Sequence, residues 1–136
     1  MISRRRMVLS VLSGLSLLSG SLAVVASPPR SRLMRSLDTD NDGTLDLSEA
    51  KKAAEAVFNR LDRDHDGTLN ARELRRRMSA KEFAASDPDK DGTLTKDEYL
   101  AIVEQRFKAA DRDNDGTLTP RELISRPGRA LLRLIK

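Results

Sequence analysis

Beyond residue 33 the chain repeats one arrangement of apolar and polar positions four times. An apolar anchor (Met34, Phe58, Phe83 or Phe107) stands four residues ahead of a polar stretch of twelve, and the eighth residue of that stretch is again apolar (Leu45, Leu69, Leu94 or Leu118). The intervals 50–61, 74–86 and 99–110 contain neither glycine nor proline, and each reads as helix. The predicted fold is therefore all-α, an array of four helix-loop-helix units over residues 34–126 with short shared helices. A helix over 47–61 is about 22 Å long at 1.5 Å per residue, and serves as the exit of one loop and the entrance of the next. Loops 1 and 2 then sit at opposite ends of it, which opens 1 with 3 and 2 with 4 as pairings. Ser79 and Glu82, at the spacing of a capping box, offer a break in the second interval that separates two halves.

A different pattern precedes the repeats. Arg4, Arg5 and Arg6 lead into MVLSVLSGLSLLSGSLAVVA, with Val24 and Ala26 at the third and first positions before a signal-peptidase cut, so residues 1–26 read as an export signal and 27–33 as a linker. The segment SRRRMVL also resembles the twin-arginine signal of bacteria. Five serines and two glycines dilute the apolar run, which argues against a stable membrane span. The expected location is periplasmic or secreted.

The polar stretches are DTDNDGTLDLSE (38–49), DRDHDGTLNARE (62–73), DPDKDGTLTKDE (87–98) and DRDNDGTLTPRE (111–122). Every copy has Asp at positions 1, 3 and 5, Gly at 6, Thr at 7 and Glu at 12. Alternate aspartates on a tight loop can converge on a hard divalent cation, which takes six to eight oxygens. The glycine permits a positive φ at the turn. Position 7 offers a main-chain carbonyl, from Thr44, Thr68, Thr93 or Thr117, and the glutamate at 12 can give two oxygens.

These loops resemble the EF-hand calcium loop of the calmodulin and parvalbumin superfamily, without a departure at positions 1, 3, 5, 6 or 12. The resemblance implies side-chain ligands Asp38, Asp40, Asp42 and Glu49; Asp62, Asp64, Asp66 and Glu73; Asp87, Asp89, Asp91 and Glu98; and Asp111, Asp113, Asp115 and Glu122. Asp46, Asn70, Thr95 and Thr119 at position 9 can each hold a water. Those four residues also stand three before a glutamate, the capping-box spacing, and Pro120 suits the first position of a helix. Capping explains neither the aspartates nor the glycine. Mg²⁺ shares the preference for oxygen, but a glutamate at position 12 in every copy suits the larger, bidentate coordination of Ca²⁺, of which up to four are expected. His65, the only histidine, should point outward.

Composition then bounds the function. Aromatic residues make up 3% of the 136, so the core is thin, and with no cysteine there are neither disulfides nor thiolate sites. All acidic residues but Glu55, Glu82 and Glu104 lie in the loops, leaving the rest of the chain basic. Metal binding therefore turns a nearly balanced mature chain cationic, with Arg72, Arg75, Arg76 and Arg77 as its densest patch. That patch reads first as a solvated helix face and otherwise as a contact for an anionic surface. No aromatics interleave with it, so nucleic acid is not an expected partner. The tail ALLRLIK after Pro127 and Gly128, which end the exit helix of loop 4, either covers the open end of the core or forms an amphipathic contact.

No acid, base or nucleophile constellation remains for an enzyme. The expected function is an exported calcium buffer or calcium-stabilised binding module. The alternatives are a sensor that engages a target protein, disfavoured by a mature chain with only Met34 and Met78, and an assembly or adhesion module similar to the dockerins.

Overall fold

The computed structural model of the chain describes residues 32–136. The export segment read at 1–26 and most of the linker lie outside the described residues. A 3₁₀ turn at Met34–Ser36 leads into the first loop, and then come β1 (Leu45–Asp46), α1 (Leu47–Leu61), β2 (Thr68–Asn70), α2 (Ala80–Ser86), β3 (Thr93–Thr95), α3 (Lys96–Ala110), β4 (Thr117–Leu118), α4 (Pro120–Leu123) and α5 (Arg126–Ile135). Each strand is the exit side of one acidic loop, so the fold is the expected array of four helix-loop-helix units. Among the described residues no helix is long and apolar enough to cross a membrane.

The loops pair differently from either sequence expectation. β1 pairs antiparallel with β4, Leu45 opposite Leu118, and β2 with β3, Leu69 opposite Leu94. Loop 1 therefore meets loop 4 and loop 2 meets loop 3, which corrects the pairings of 1 with 3 and 2 with 4. The cause lies in the second interval, which does not form one helix over 74–86 but breaks at the Ser79 and Glu82 capping box that the spacing had offered. Residues 71–79 are turns instead. Ser79 then caps a new helix, its side chain accepting from the Glu82 N–H while the Glu82 carboxylate accepts from the Ser79 N–H at 2.8 Å. The resulting α2, about 10 Å long over seven residues, lets the chain double back beside loop 2. Parallel packing of α1 and α3 would instead oblige the connection to travel the whole 22 Å or so of α1.

Helices α1 and α3 thus run antiparallel with a loop pair at each end. Lys51 near the start of α1 bonds Glu104 on α3 at 2.7 Å, and Phe58 near its end meets Tyr99 near the start of α3 edge-on, with ring centroids 5.7 Å apart. The Lys96 ammonium lies 5.4 Å from the centre of the same Phe58 ring. The anchors Met34, Phe58, Phe83 and Phe107 are all buried, and the four loop leucines are fully so. Burying a leucine stabilises by about 1.5–3 kcal/mol, so each ladder carries two apolar side chains into the core along with the metal loops.

The C-terminal segment packs on both long helices. Pro127 and Gly128 do not end a helix, as the sequence had suggested. Ser125 caps α5, whose first turn holds Pro127, and Leu131, Leu134 and Ile135 enter the core against α1 and α3. Two contacts lock α5 in place. The Tyr99 hydroxyl donates to the Leu134 carbonyl at 2.7 Å in a buried setting. A Cβ on Gly128 would meet the Glu122 carbonyl oxygen at 2.1 Å, so α5 approaches α4 more closely than any other residue would allow.

Burial pushes the Tyr99 phenol up to about 12, only partly offset by Arg77, Arg106 and Arg60. The neutral phenol is the form the fold favours, so its contribution is complete below the ordinary value of 10.0 and is lost as pH rises through about 12. Absorbance titration near 295 nm should place this sole tyrosine well above its ordinary value, and a midpoint near that value would contradict the docking of α5. Tyr99→Phe should cost about 1 kcal/mol in denaturant unfolding, and Gly128→Ala about 1–3 kcal/mol through overpacking against α4.

Candidate metal centres

Each loop is built by the same backbone device. Position 4 (Asn41, His65, Lys90 or Asn114) takes a left-handed φ of 56–64°, and the glycine at position 6 follows at 83–95°. Two positive φ values so close together fold the loop over its own first residue. The carboxylate at position 1 then accepts the glycine N–H at 2.9–3.1 Å in all four loops. His65 is exposed, as expected of position 4.

The convergence of carboxylates follows from this turn. Asp38, Asp40 and Glu49 in loop 1, Asp62, Asp64 and Asp66 in loop 2, Asp87, Asp89 and Asp91 in loop 3, and Asp111, Asp113 and Glu122 in loop 4 each bring three oxygens within 4.8 Å of one another. At a Ca–O distance of about 2.3–2.6 Å, oxygens on opposite sides of one Ca²⁺ are about 5 Å apart, so each triplet fits around a single ion. The threonines at position 7 stand where each loop enters its strand ladder.

The fourth carboxylate of each loop lies outside its triplet, although its bonds are not peculiar to it: Asp66 and Asp91, inside their triplets, accept from the N–H and hydroxyl of Thr68 and Thr93. Asp42 and Asp115 accept from the N–H and hydroxyl of Thr44 and Thr117 at 2.7–2.9 Å. Glu73 accepts from the Arg63 and Asn70 N–H groups, and Glu98 from the N–H and hydroxyl of Thr95. The capping boxes read from the sequence form at Asp46, Thr95 and Thr119. Capping and convergence thus draw on the same glutamates, and only Glu49 and Glu122 turn inward.

The N–H at position 2 is a further partner that the spacing did not reveal. Thr39, Arg63 and Arg112 donate it to the glutamate of their own loop at 2.6–3.2 Å. Loop 3 has Pro88 there, which has no N–H to give, and Glu98 is held only from its exit side. The proline was the readable signal.

Electrostatics show the tension in these clusters. Burial, together with the charges of Asp115 and Glu122, raises the pKa of Asp113. Asp89 is raised first by the adjoining Asp87 carboxyl group. The Asp42 N–H steadies the charge on Asp40, yet burial and the charges of Asp42 and Glu49 outweigh it and the pKa rises. The position 1 aspartates and Glu49 are the only buried charged residues described. Among the described residues Glu49, Asp62, Asp87 and Asp111 have no ion pair with Lys or Arg. Asp87 Oδ1 is buried and accepts no hydrogen bond. A buried carboxylate oxygen without a donor is costly in a protein interior, and a hard cation is the partner that its surroundings leave room for.

Comparison with known families agrees with this donor set. The EF hand family model matches residues 31–52, 54–79 and 102–125, together more than half of the chain. Loop 3 lies between the matched segments but has the same turn and the same triplet of aspartates. A search among curated proteins finds no match. With four acidic loops folded around oxygen triplets of calcium size, the chain belongs to the EF-hand family and binds Ca²⁺.

Proposed function

We propose that the protein is an exported calcium-binding protein whose fold is held by its ions, acting as a buffer or as a calcium-stabilised binding module. The observation that carries this reading is the buried Asp87 Oδ1, which accepts no hydrogen bond, at the centre of a loop where three aspartate oxygens converge. Without cations, each end of the molecule concentrates like charge beneath a short strand ladder, and that repulsion opposes the pairing which brings the loop leucines into the core. The proposed ligands are the aspartates at positions 1, 3 and 5, the position 7 carbonyls and the position 12 glutamates. In loops 2 and 3 the glutamate would have to turn inward, and in all four loops it would share its oxygens with the position 9 N–H that it accepts.

Export rests on the residue pattern of the amino terminus. A sensor role draws less support, because Met34 and Met78 are both buried and Ile124 is the only exposed large hydrophobic residue described. The excess of basic residues outside the loops suits anionic partners.

Calorimetric titration with Ca²⁺, followed by circular dichroism with and without chelator, tests the reading. Four ions should bind, with a large gain of helix. Each site filled at a hundredfold excess over its dissociation constant adds about 2.7 kcal/mol, so the melting temperature should rise by tens of degrees. An apo protein already folded, with the same helix content, would shift the function to sensing, whereas failure to bind Ca²⁺ at millimolar concentration would overturn the reading. Asp87→Asn keeps an acceptor for the Gly92 N–H but removes the buried charge. It should abolish one binding event and weaken loop 2, its ladder partner, by about five- to tenfold, leaving loops 1 and 4 within about twofold.

A further inference from the structure

The arginines that the sequence placed on a solvated helix do not lie on a helix. Residues 71–79 are turns, and Arg72, Arg75, Arg76 and Arg77 join Arg63 of loop 2 and Arg133 of α5 around a groove of about 930 Å³. These six cations come from three separate parts of the chain, so the groove is a product of folding rather than of one basic run. None of them forms an ion pair among the described residues. Arg77 is fixed by donating to the carbonyls of Arg133 at 2.8 Å and Lys136 at 2.6 Å, which ties the turn to the end of α5. Glu73 is the only acidic residue in the lining.

Convergence of unpaired guanidinium groups in a concavity is unfavourable for the isolated protein and favourable for an anion with several charges. Arginine presents a planar fork that matches the oxygens of sulfate and phosphate. Leu61 is the only large apolar lining residue and no aromatic is present, so nothing there receives the apolar side chains of a peptide or stacks the bases of a nucleic acid. A bilayer surface is broad, whereas this site is recessed. Repeated charge on an otherwise polar chain is the property that the groove selects. We propose that it binds an anionic polysaccharide bearing sulfate or phosphate groups.

Calcium enters through Glu73, which belongs both to the groove wall and to loop 2. Asp62, Asp64, Asp66 and Glu73 set negative charge behind the arginines, and an ion in loop 2 neutralises it. The groove therefore binds the polyanion more tightly with calcium, and the polyanion tightens calcium binding in loop 2 by the same factor. This coupling rests on calcium binding in loop 2; the arginine dependence does not.

The test is fluorescence anisotropy of a labelled sulfated hexasaccharide with the calcium-loaded protein at physiological salt. The exposed triple variant Arg72→Gln/Arg75→Gln/Arg76→Gln should lose at least about tenfold in affinity while still binding four Ca²⁺. A charge-matched control, Lys52→Gln/Lys81→Gln/Arg121→Gln, should stay within about twofold of the parent. Phosphorylated in place of sulfated oligosaccharide separates the two sources of charge, and binding of either through the same arginines supports the proposal. Equal losses in both triple variants would reduce the effect to net charge and overturn it. So would failure of the parent to bind either sugar, or tighter binding to phosphatidylglycerol vesicles or a single-stranded oligonucleotide. Loss of calcium binding with sugar binding intact would count against the calcium-held fold alone.

Discussion

A carboxylate at position 1 of every loop is folded under its own glycine turn and buried, and this constraint governs the molecule. Burial of that oxygen is what draws the loop tight, since the glycine N–H can reach it only if the backbone turns back. The same burial strips the charge of water in the midst of two or three others. Crowding carboxylates in a buried loop without a cation costs several kcal/mol, far more than a ladder of two or three residues returns. Loop geometry and metal requirement are therefore one property. The apolar anchors on either side transmit it to the core, because Leu45 and Leu118, or Leu69 and Leu94, reach their buried positions only when two loops lie side by side.

Sharing of helices makes the four sites a closed circuit. α1 joins loop 1 to loop 2, the β2–β3 ladder joins loop 2 to loop 3, α3 joins loop 3 to loop 4, and the β1–β4 ladder returns to loop 1. Any site can influence its neighbour through a ladder, and the opposite end through a rigid helix about 22 Å long. Helix α5 braces this circuit by packing on both long helices, with the Tyr99 hydroxyl and the Gly128 contact defining its seat. Arg77 adds a tie from the turn after loop 2 to the end of α5, and in doing so shapes the arginine groove.

The loops were legible in the sequence because metal geometry acts locally: Asp62, Asp64 and Asp66 need only the tight turn at His65 and Gly67 to be folded together. The anchors and loop leucines were legible for the same reason, by their constant distance from each loop. Pairing was not, because it depends on whether α1 and α3 run parallel or antiparallel, and that is settled by one capping box at Ser79 and Glu82 whose effect local propensity does not rank. The glutamates at position 12 have two competing partners, the loop centre and the helix N-terminus. A motif does not rank those two partners, and Glu73 stays outside its triplet although Arg63 offers it the N–H that Pro88 denies to Glu98. Arg133 meets Arg75 and Arg76 only after α5 docks, so the groove had no signature in sequence order.

The most direct measurement is nuclear Overhauser spectroscopy of the calcium-loaded protein and of the same sample after chelation. Calcium-held pairing requires cross-strand contacts between Leu69 and Leu94 and between Leu45 and Leu118 with calcium, and loss of both without it. Contacts between Leu45 and Leu69, or ladders that persist unchanged after calcium is removed, would contradict it.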